Sequence, residues 1–329
     1  MRRRGFITLL SGAATAWPLT GYAQQTEQVR QVGVLLPFAP NDPFGQGVVA
    51  TFVQALGRLK WVVGNNLRID YRFAAGDPTR FKSYAAELVG LSPDAIVAAT
   101  PPAVAALRQQ TRTIPIVFVY VVDPVGLGFV QSLARPGGNV TGFSVSDAPI
   151  AGKWVQLLKE VAPGVTRVAA VFNPETAPYA PLYTHAIEAA AAAFGMTLTL
   201  APVHDDAGIE EAIATHAREP GGALIPLPDS FVAAHRDVVV DAAARHRLPL
   251  IGFDLFSRSG GLMSYWSDPV DVYAQAASYI DRILRGAIPA DLPVQEPTKF
   301  SLIINLKTAK ALGLTVPQSI FARADEVIE

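Results

Sequence analysis

Cysteine is missing from all 329 residues. Its absence excludes disulfide staples, thiolate nucleophiles, thiolate metal centres and lipid attachment through a cysteine. Charge is scarce as well: 17% of the residues are charged and the formal net charge is −1. No stripe of lysine or arginine gathers anywhere, which argues against a nucleic-acid partner. Histidine is thin on the chain. His185, His204, His216, His235 and His246 fall in helical or helix-flanking stretches, away from the strand ends where a site forms. There is no G-x-S-x-G elbow and no P-loop lysine motif, so neither triad-type acyl transfer nor nucleotide hydrolysis has its parts. "GLG" (126–128) offers two glycines of a dinucleotide fingerprint, but Val130-Gln131 stand where the third belongs. It reads as a tight loop into a helix over 128–134. "HDD" (204–206) reads as a helix cap and not as a metal site. The expectation is no catalytic group, no cofactor and no metal. Long apolar runs are missing too: past residue 23 nothing is long enough to span a membrane.

What is present begins with "MRRRGFITLLSGAATAWPLTGYA" (1–23): a basic start, an apolar stretch and small residues at Gly21 and Ala23. This is the composition of a cleaved export signal, with cleavage before Gln24. Arg3-Arg4-Gly5-Phe6-Ile7 fits the twin-arginine pattern, and a general secretory signal remains the alternative. Cleavage would take away three arginines and no acid. The expected location is the periplasm.

The rest of the chain is longer than one ordinary domain. Apolar strand runs alternate with amphipathic helical stretches, the signature of a parallel sheet covered by helices. Strands are readable at 31–37, 67–73, 94–100 and 114–121, with helices near 44–60, 78–90 and 102–110. A second set has strands at 166–174, 196–203, 222–229 and 248–254 and helices near 178–194, 208–217 and 231–245. The two sets correspond. "RQVGVLLPFAPNDP" answers "TRVAAVFNPETAP", and the run from Ala95 through "TPPAVAALRQQTRTIPIVFVYVVDP" answers "ALIPLPDSFVAAHRDVVVDAAARHRLPLIGFD". The fold class is therefore α/β, with two similar Rossmann-like lobes. Residues 30–145 plus 265–290 are expected in the first lobe and 146–264 plus 296–329 in the second, with a hinge near 143–147, 263–267 and 288–298.

In open α/β sheets a ligand sits beyond the C-terminal strand ends. Two such edges facing each other make one cleft. In the first lobe they bring Pro37, Phe38, Phe44, Thr100, Pro101, Pro102, Ala103, Tyr120 and Asp123. In the second they bring Asn173, Ala177, Tyr179, Asp229, Phe231 and Asp254, and Tyr265 follows on the returning segment. Phe253 adds to the aromatics, and a few of these at the mouth suit a planar apolar ligand. The helix that starts at Pro101-Pro102 is a seat for a carboxylate, through the Thr100 hydroxyl and the N–H groups of Ala103 and Val104. Asp229 is expected to pair with a ligand ammonium group, with Asp254 as runner-up and a simple helix cap as the competing role for Asp229.

The chain resembles the substrate-binding proteins of bacterial ABC transporters of the tryptophan/tyrosine-transport type. The resemblance is carried by "RRRGFITLLSGAA", "NLRIDYRFAAGD", "DPVGLGFVQSLARPGGNVTGFS", "AGKWVQLLKEVAPGVTRVAAVFNPETAPY", "GGLMSY" and "LPVQEPTKFSLIINLKTAKALGLTVP". It implies the type I periplasmic binding fold, with lobes joined by a three-strand hinge and closing on a ligand. It also implies an aromatic or other apolar amino acid as ligand, and an ABC permease and ATPase at the inner membrane as partners. The protein is expected to be a monomer. Two stretches depart from the family pattern: Tyr120 stands in "YVVDP" where the family has a small residue, and "FDLF" (253–256) lies where the family varies. A periplasmic sensor that presents its bound form to a membrane receptor shares all these features. A transcriptional regulator of the same fold would need a DNA-binding helix pair, which is missing.

Overall fold

The computed structural model describes residues 29–145 and 149–329; the expected export signal lies outside them. The first lobe is built from β1 (Arg30–Leu36), α1 (Pro43–Arg58), β2 (Leu67–Phe73), α2 (Pro78–Gly90), β3 (Ala95–Ala99), α3 (Pro101–Gln110), β4 (Ile116–Val121) and β5 (Val140–Ser144). Its strands form one parallel sheet in the order β2-β1-β3-β4-β5. β1 and β3 are almost continuously apolar because helices cover both faces of the sheet.

The second lobe follows with α4 (Pro149–Val161), β6 (Arg167–Phe172), α5 (Ala180–Ala193), β7 (Thr197–Pro202), α6 (Asp206–His216) and β8 (Gly222–Pro226). It continues through α7 (Ser230–Ala234), α8 (Arg236–Arg245), β9 (Ile251–Gly252), α9 (Asp254–Arg258) and β10 (Met263–Ser267). Helix α10 (Pro269–Leu284) then returns to the first lobe, where it packs along α1. The chain ends in the second lobe with β11 (Phe300–Asn305), α11 (Leu306–Leu312), α12 (Gln318–Phe321) and β12 (Glu326–Ile328). Here β7-β6-β8 form a parallel sheet and β12-β11-β10-β9 a mixed one, linked by a bridge between Leu224 and Leu250. β11 enters from the first lobe, so it runs antiparallel to β10.

An Asp-Pro pair starts α1, α2 and α10 in the same way. Asp42, Asp77 and Asp268 accept hydrogen bonds from first-turn N–H groups, and the proline that follows has no N–H to leave unsatisfied. Gly142 is a glycine the fold requires. Its φ is +152°, and a Cβ there would meet the Phe118 carbonyl oxygen at 2.1 Å.

Three expectations are corrected. No helix forms over 128–134: Asp123 accepts from the Gly126 N–H, the Phe129 and Val130 N–H groups close on the Pro124 carbonyl, and turns result. The helix expected over 231–245 breaks at His235, which stacks on Phe231 at 4.1 Å. Residues 265–267 belong with the second lobe, because β10 pairs with β9 and β11.

The chain changes lobe three times: between β5 and α4, at 267–269 and at 295–300. The second and third passages lie side by side, tied by a 2.7 Å ion pair between Lys299 and Asp268. Beside them Gln295 exchanges hydrogen bonds with the backbone of β5, accepting from Ser144 and donating to Gly142.

Candidate functional site

The strand ends of both lobes meet around a cavity enclosing about 550 Å³ of space between atoms, its opening to solvent included. From the first lobe it is lined by Pro37 and Phe38 after β1, Phe44 on α1, Ala99 and Thr100 at the end of β3, Tyr120 on β4, Val145, and Tyr273 on α10. The second lobe contributes Tyr179, Pro228, Asp229, Ser230, Ala233, Phe253, Asp254, Leu255 and Trp266. The walls are aromatic. Phe38 and Phe44 meet edge to face at 5.4 Å on one side. On the other, Phe253 leans on Trp266 at 5.9 Å, and Trp266 stacks on the buried Trp154 at the same distance. The charged side chains in the lining are two aspartates, Asp229 and Asp254.

Polar atoms without partners converge on this apolar space. The Thr100, Tyr120, Tyr273 and Ser230 hydroxyls and Asp254 Oδ2 are all buried with no hydrogen-bond partner among the described residues, and all five residues line the cavity. Buried polar groups are normally satisfied, and each one left over costs about 1–3 kcal/mol. Such a concentration marks a place where a polar ligand completes the bonding. Backbone strain lies at the same place. Thr100 has φ +79° and Tyr120 has φ +56°, the latter where the β4–β5 register slips between Val119 and Val121. β-branched and aromatic residues seldom adopt positive φ, and such strain gathers at ligand sites.

The two aspartates differ in how they are occupied. Asp229 Oδ1 accepts from the Phe231 N–H at 2.9 Å and from the Thr176 hydroxyl, and Oδ2 accepts from the Asn173 N–H at 2.7 Å. It caps α7 and ties the β6 loop to it, so both oxygens are taken. Burial raises its pKa to about 6, against the pull of those hydrogen bonds. Asp254 keeps Oδ2 open, and burial raises its pKa to about 7. The tyrosines beside it hold their protons firmly. Burial and the Asp254 carboxylate push the phenols of Tyr120 and Tyr273 up, and their rings lie 6.0 Å apart. Asp254, Tyr120 and Tyr273 thus form one polar group at the lobe junction.

The family model described as ABC transporter substrate binding protein matches residues 46–328. The chain belongs to this family. Among similar proteins is a tyrosine-binding protein of Clostridioides difficile, 26% identical over 292 residues, which are 88% of this chain and 84% of the relative. A solved structure of a conserved domain protein from Vibrio cholerae is 31% identical, covering 91% of this chain and 100% of that one with a TM-score of 0.84. A Streptococcus pneumoniae ABC domain, solved in complex with L-Trp, is 26% identical and covers 91% of this chain and 99% of its own, with a TM-score of 0.83. The α/β fold of this substrate-binding protein is that of periplasmic binding proteins.

Several residues expected at the site of the binding protein are brought to the cavity: Pro37, Phe38, Phe44, Thr100, Tyr120, Tyr179, Asp229 and Asp254, with Phe253 beside them. Others stand elsewhere. Pro101, Pro102 and Ala103 lie behind Thr100, outside the lining, and the Val104 N–H turns back to the Thr100 carbonyl at 3.4 Å. Thr100 makes no side-chain cap. The helix start is therefore not an open seat of N–H donors; what it presents to the cavity is one hydroxyl. Asp123 holds a turn by accepting from the Gly126 N–H at 2.8 Å. Ala177 is buried away from the cavity, and its N–H donates to the Asn173 carbonyl at 2.9 Å. Asn173 and Phe231 line a separate crevice at the cleft mouth. Tyr265 stacks on Phe300 at 5.7 Å over a surface pocket. Its neighbour Trp266 faces the cavity instead, since successive residues of a strand point to opposite faces.

Sequence reading missed Ala99, Val145, Ala233, Trp266 and Tyr273 as lining residues. Pro228, Ser230 and Leu255 fall within strand-end loops expected at the cleft, 228–231 and 254–257. The alternation in "MSYWS" carried a signal for Trp266, whereas Tyr273 reaches the cavity only because α10 crosses back to the first lobe. Two histidines also stand closer to the cleft than their helix-flanking positions indicate. His204 faces Glu175 at 3.9 Å and His235 faces Asp206 at 3.6 Å, both in the mouth crevice.

Proposed function

We propose that this substrate-binding protein works in the periplasm, where it captures an aromatic or other apolar amino acid between its lobes. It then hands the ligand to a permease and ATPase at the inner membrane. The protein acts as a monomer, by binding and closure, with no chemical step. The observation that carries this reading is the cavity itself, whose aromatic walls hold five residues with unpartnered polar atoms, one of them a carboxylate. A zwitterion with an apolar side chain answers each part. Its ammonium group pairs with Asp254 Oδ2, its carboxylate accepts from the Thr100 and Ser230 hydroxyls, and its side chain lies among Phe38, Phe44, Phe253 and Trp266. The names of the relatives support the class, one being a tyrosine-binding protein and another being solved with L-Trp. Among the described residues no helix is long and apolar enough to cross a membrane.

The test is a melting-temperature screen followed by calorimetric titration of L-tryptophan, L-tyrosine, L-phenylalanine and their des-amino analogues. A ligand at 100 times its Kd stabilises the fold by about 2.7 kcal/mol. The expected result is a rise in melting temperature with at least one of the three amino acids and none with the matching des-amino acid. Equal binding of the two would remove the ammonium from the reading. Binding of none would remove the ligand class.

A further inference from the structure

The lobes touch outside the cavity as well, and one contact there is ionic and buried. Asp42, in the loop between β1 and α1, uses Oδ1 to accept from the Phe44 and Gly45 N–H groups at 2.9 and 3.0 Å. That is its capping duty. Its second oxygen, Oδ2, takes a hydrogen bond from Arg236 NH1 at 2.5 Å, from the opposite lobe and 194 residues away in sequence. The two side chains are 7% and 10% exposed. Arg236 is held from behind: Nε donates to the Ser259 hydroxyl at 3.2 Å and NH1 also reaches the Ala233 carbonyl at 3.3 Å. Neither Asp42 nor Arg236 lines the cavity. Each is joined to an element that does, since α1 carries Phe44 and α7 carries Ser230 and Ala233.

We propose that Asp42 and Arg236 form a clasp across the cleft that stabilises the closed arrangement of the lobes without touching the ligand. The physics is a difference between two states. When the lobes are apart, both charges face water and are hydrated separately. When they are together, both are desolvated and must satisfy each other, because a buried charge that has lost its partner is strongly unfavourable. When buried, both ions keep further hydrogen bonds that offset the desolvation, Asp42 from two N–H groups and Arg236 to Ser259 and Ala233. The pair therefore contributes only to the closed state and strengthens ligand capture. Asp237, 81% exposed and 3.8 Å from Arg236 Nε, stays beside the guanidinium in both arrangements and does not distinguish them. The clasp takes its purpose from capture by closure, but its test reads the lobes directly.

Because the chain has no cysteine, spin labels can be placed at Lys82→Cys on α2 and Glu211→Cys on α6, both exposed and on opposite lobes. Distances are recorded without ligand, with L-tryptophan and with L-tyrosine. The variants are Asp42→Asn, which keeps a capping oxygen for α1, Arg236→Met, and the two combined. Each single variant is expected to move population to the longer distance, and to bind the amino acid that closes the wild type at least tenfold more weakly, chiefly through faster release. The double variant should recover part of the loss, since no charge is then left buried alone. Identical distance distributions in the wild type and both single variants under all conditions would overturn the clasp, whatever happens to melting temperature. Distances that differ between variants but ignore both amino acids would keep the clasp and count against the amino-acid reading.

Discussion

A carboxylate that burial has pushed up to about 7 leaves two signatures, and Asp254 carries both. The first is in stability. Its folded-state pKa lies above the unfolded value, so the folded state holds the proton longer. Stability without ligand then falls as pH rises from about 4 through 7 and levels off above. Asp229, raised to about 6, acts in the same direction. Asp254→Asn removes one of these contributions while keeping the shape. The ligand-free variant is expected to melt higher than the wild type at pH 8, and the gap should close toward pH 4. A melting series across that range checks it. The second signature is in binding. An ammonium group requires the ionised carboxylate, so affinity should rise about tenfold between pH 6 and pH 8, with proton release on binding at the lower pH. Titrations in buffers of different ionisation enthalpy measure the proton directly. A flat affinity profile would assign the ammonium to another group.

At the scale of one element, β10 shows how a single strand divides its work. Trp266 enters the cavity wall, stacked on Trp154 and tilted against Phe253, while Tyr265 lies on the other face against Phe300. The register with β11, which sets Tyr265 opposite Leu302 and Trp266 opposite Ser301, fixes this choice. Trp266→Ala is expected to cost at least tenfold in amino-acid affinity, and Tyr265→Ala less than twofold, by calorimetric titration. Both remove a large aromatic, so both lower the melting temperature, and only the affinity separates them. The strained ends of β3 and β4 are the same kind of device. Thr100 and Tyr120, both at positive φ, line the cleft with hydroxyls that find no partner among the described residues.

At the scale of the whole molecule the proposed closure is a rotation of one lobe against the other about the paired passages at 267–269 and 295–300. A ligand that moves the population from almost all open to almost all closed must favour the closed form by about 5.5 kcal/mol. In the proposed closure that preference comes from contacts to both lobes, since each lobe contributes part of the cavity wall. Small-angle scattering should show the radius of gyration fall on adding the amino acid that raises the melting temperature. An unchanged radius at saturation would mean that capture proceeds without closure. The Asp42–Arg236 pair belongs to this scale too, because its two halves meet only when the lobes do.

What the sequence by itself determined was local in origin. Alternating apolar runs and a strand-helix pattern stated twice are properties of neighbouring residues, and they were enough for two α/β lobes with a cleft between strand ends. The aromatic and acidic residues in the strand-end loops were legible for the same reason. The family was legible by resemblance, through longer stretches such as "DPVGLGFVQSLARPGGNVTGFS" and "LPVQEPTKFSLIINLKTAKALGLTVP". What only the tertiary structure decided depends on groups far apart in the chain. Asp229 and Asp254 look alike as acids at strand ends. Whether each oxygen finds a partner is settled by Asn173 and Thr176 packing against Asp229, and by the lack of any such neighbour at Asp254 Oδ2. Tyr273 joined the site because α10 crosses between lobes, and Trp266 replaced Tyr265 because strand pairing chose the face. Arg236 met Asp42 across 194 residues of chain, and no local pattern encodes a contact between surfaces that exist only once both lobes have folded.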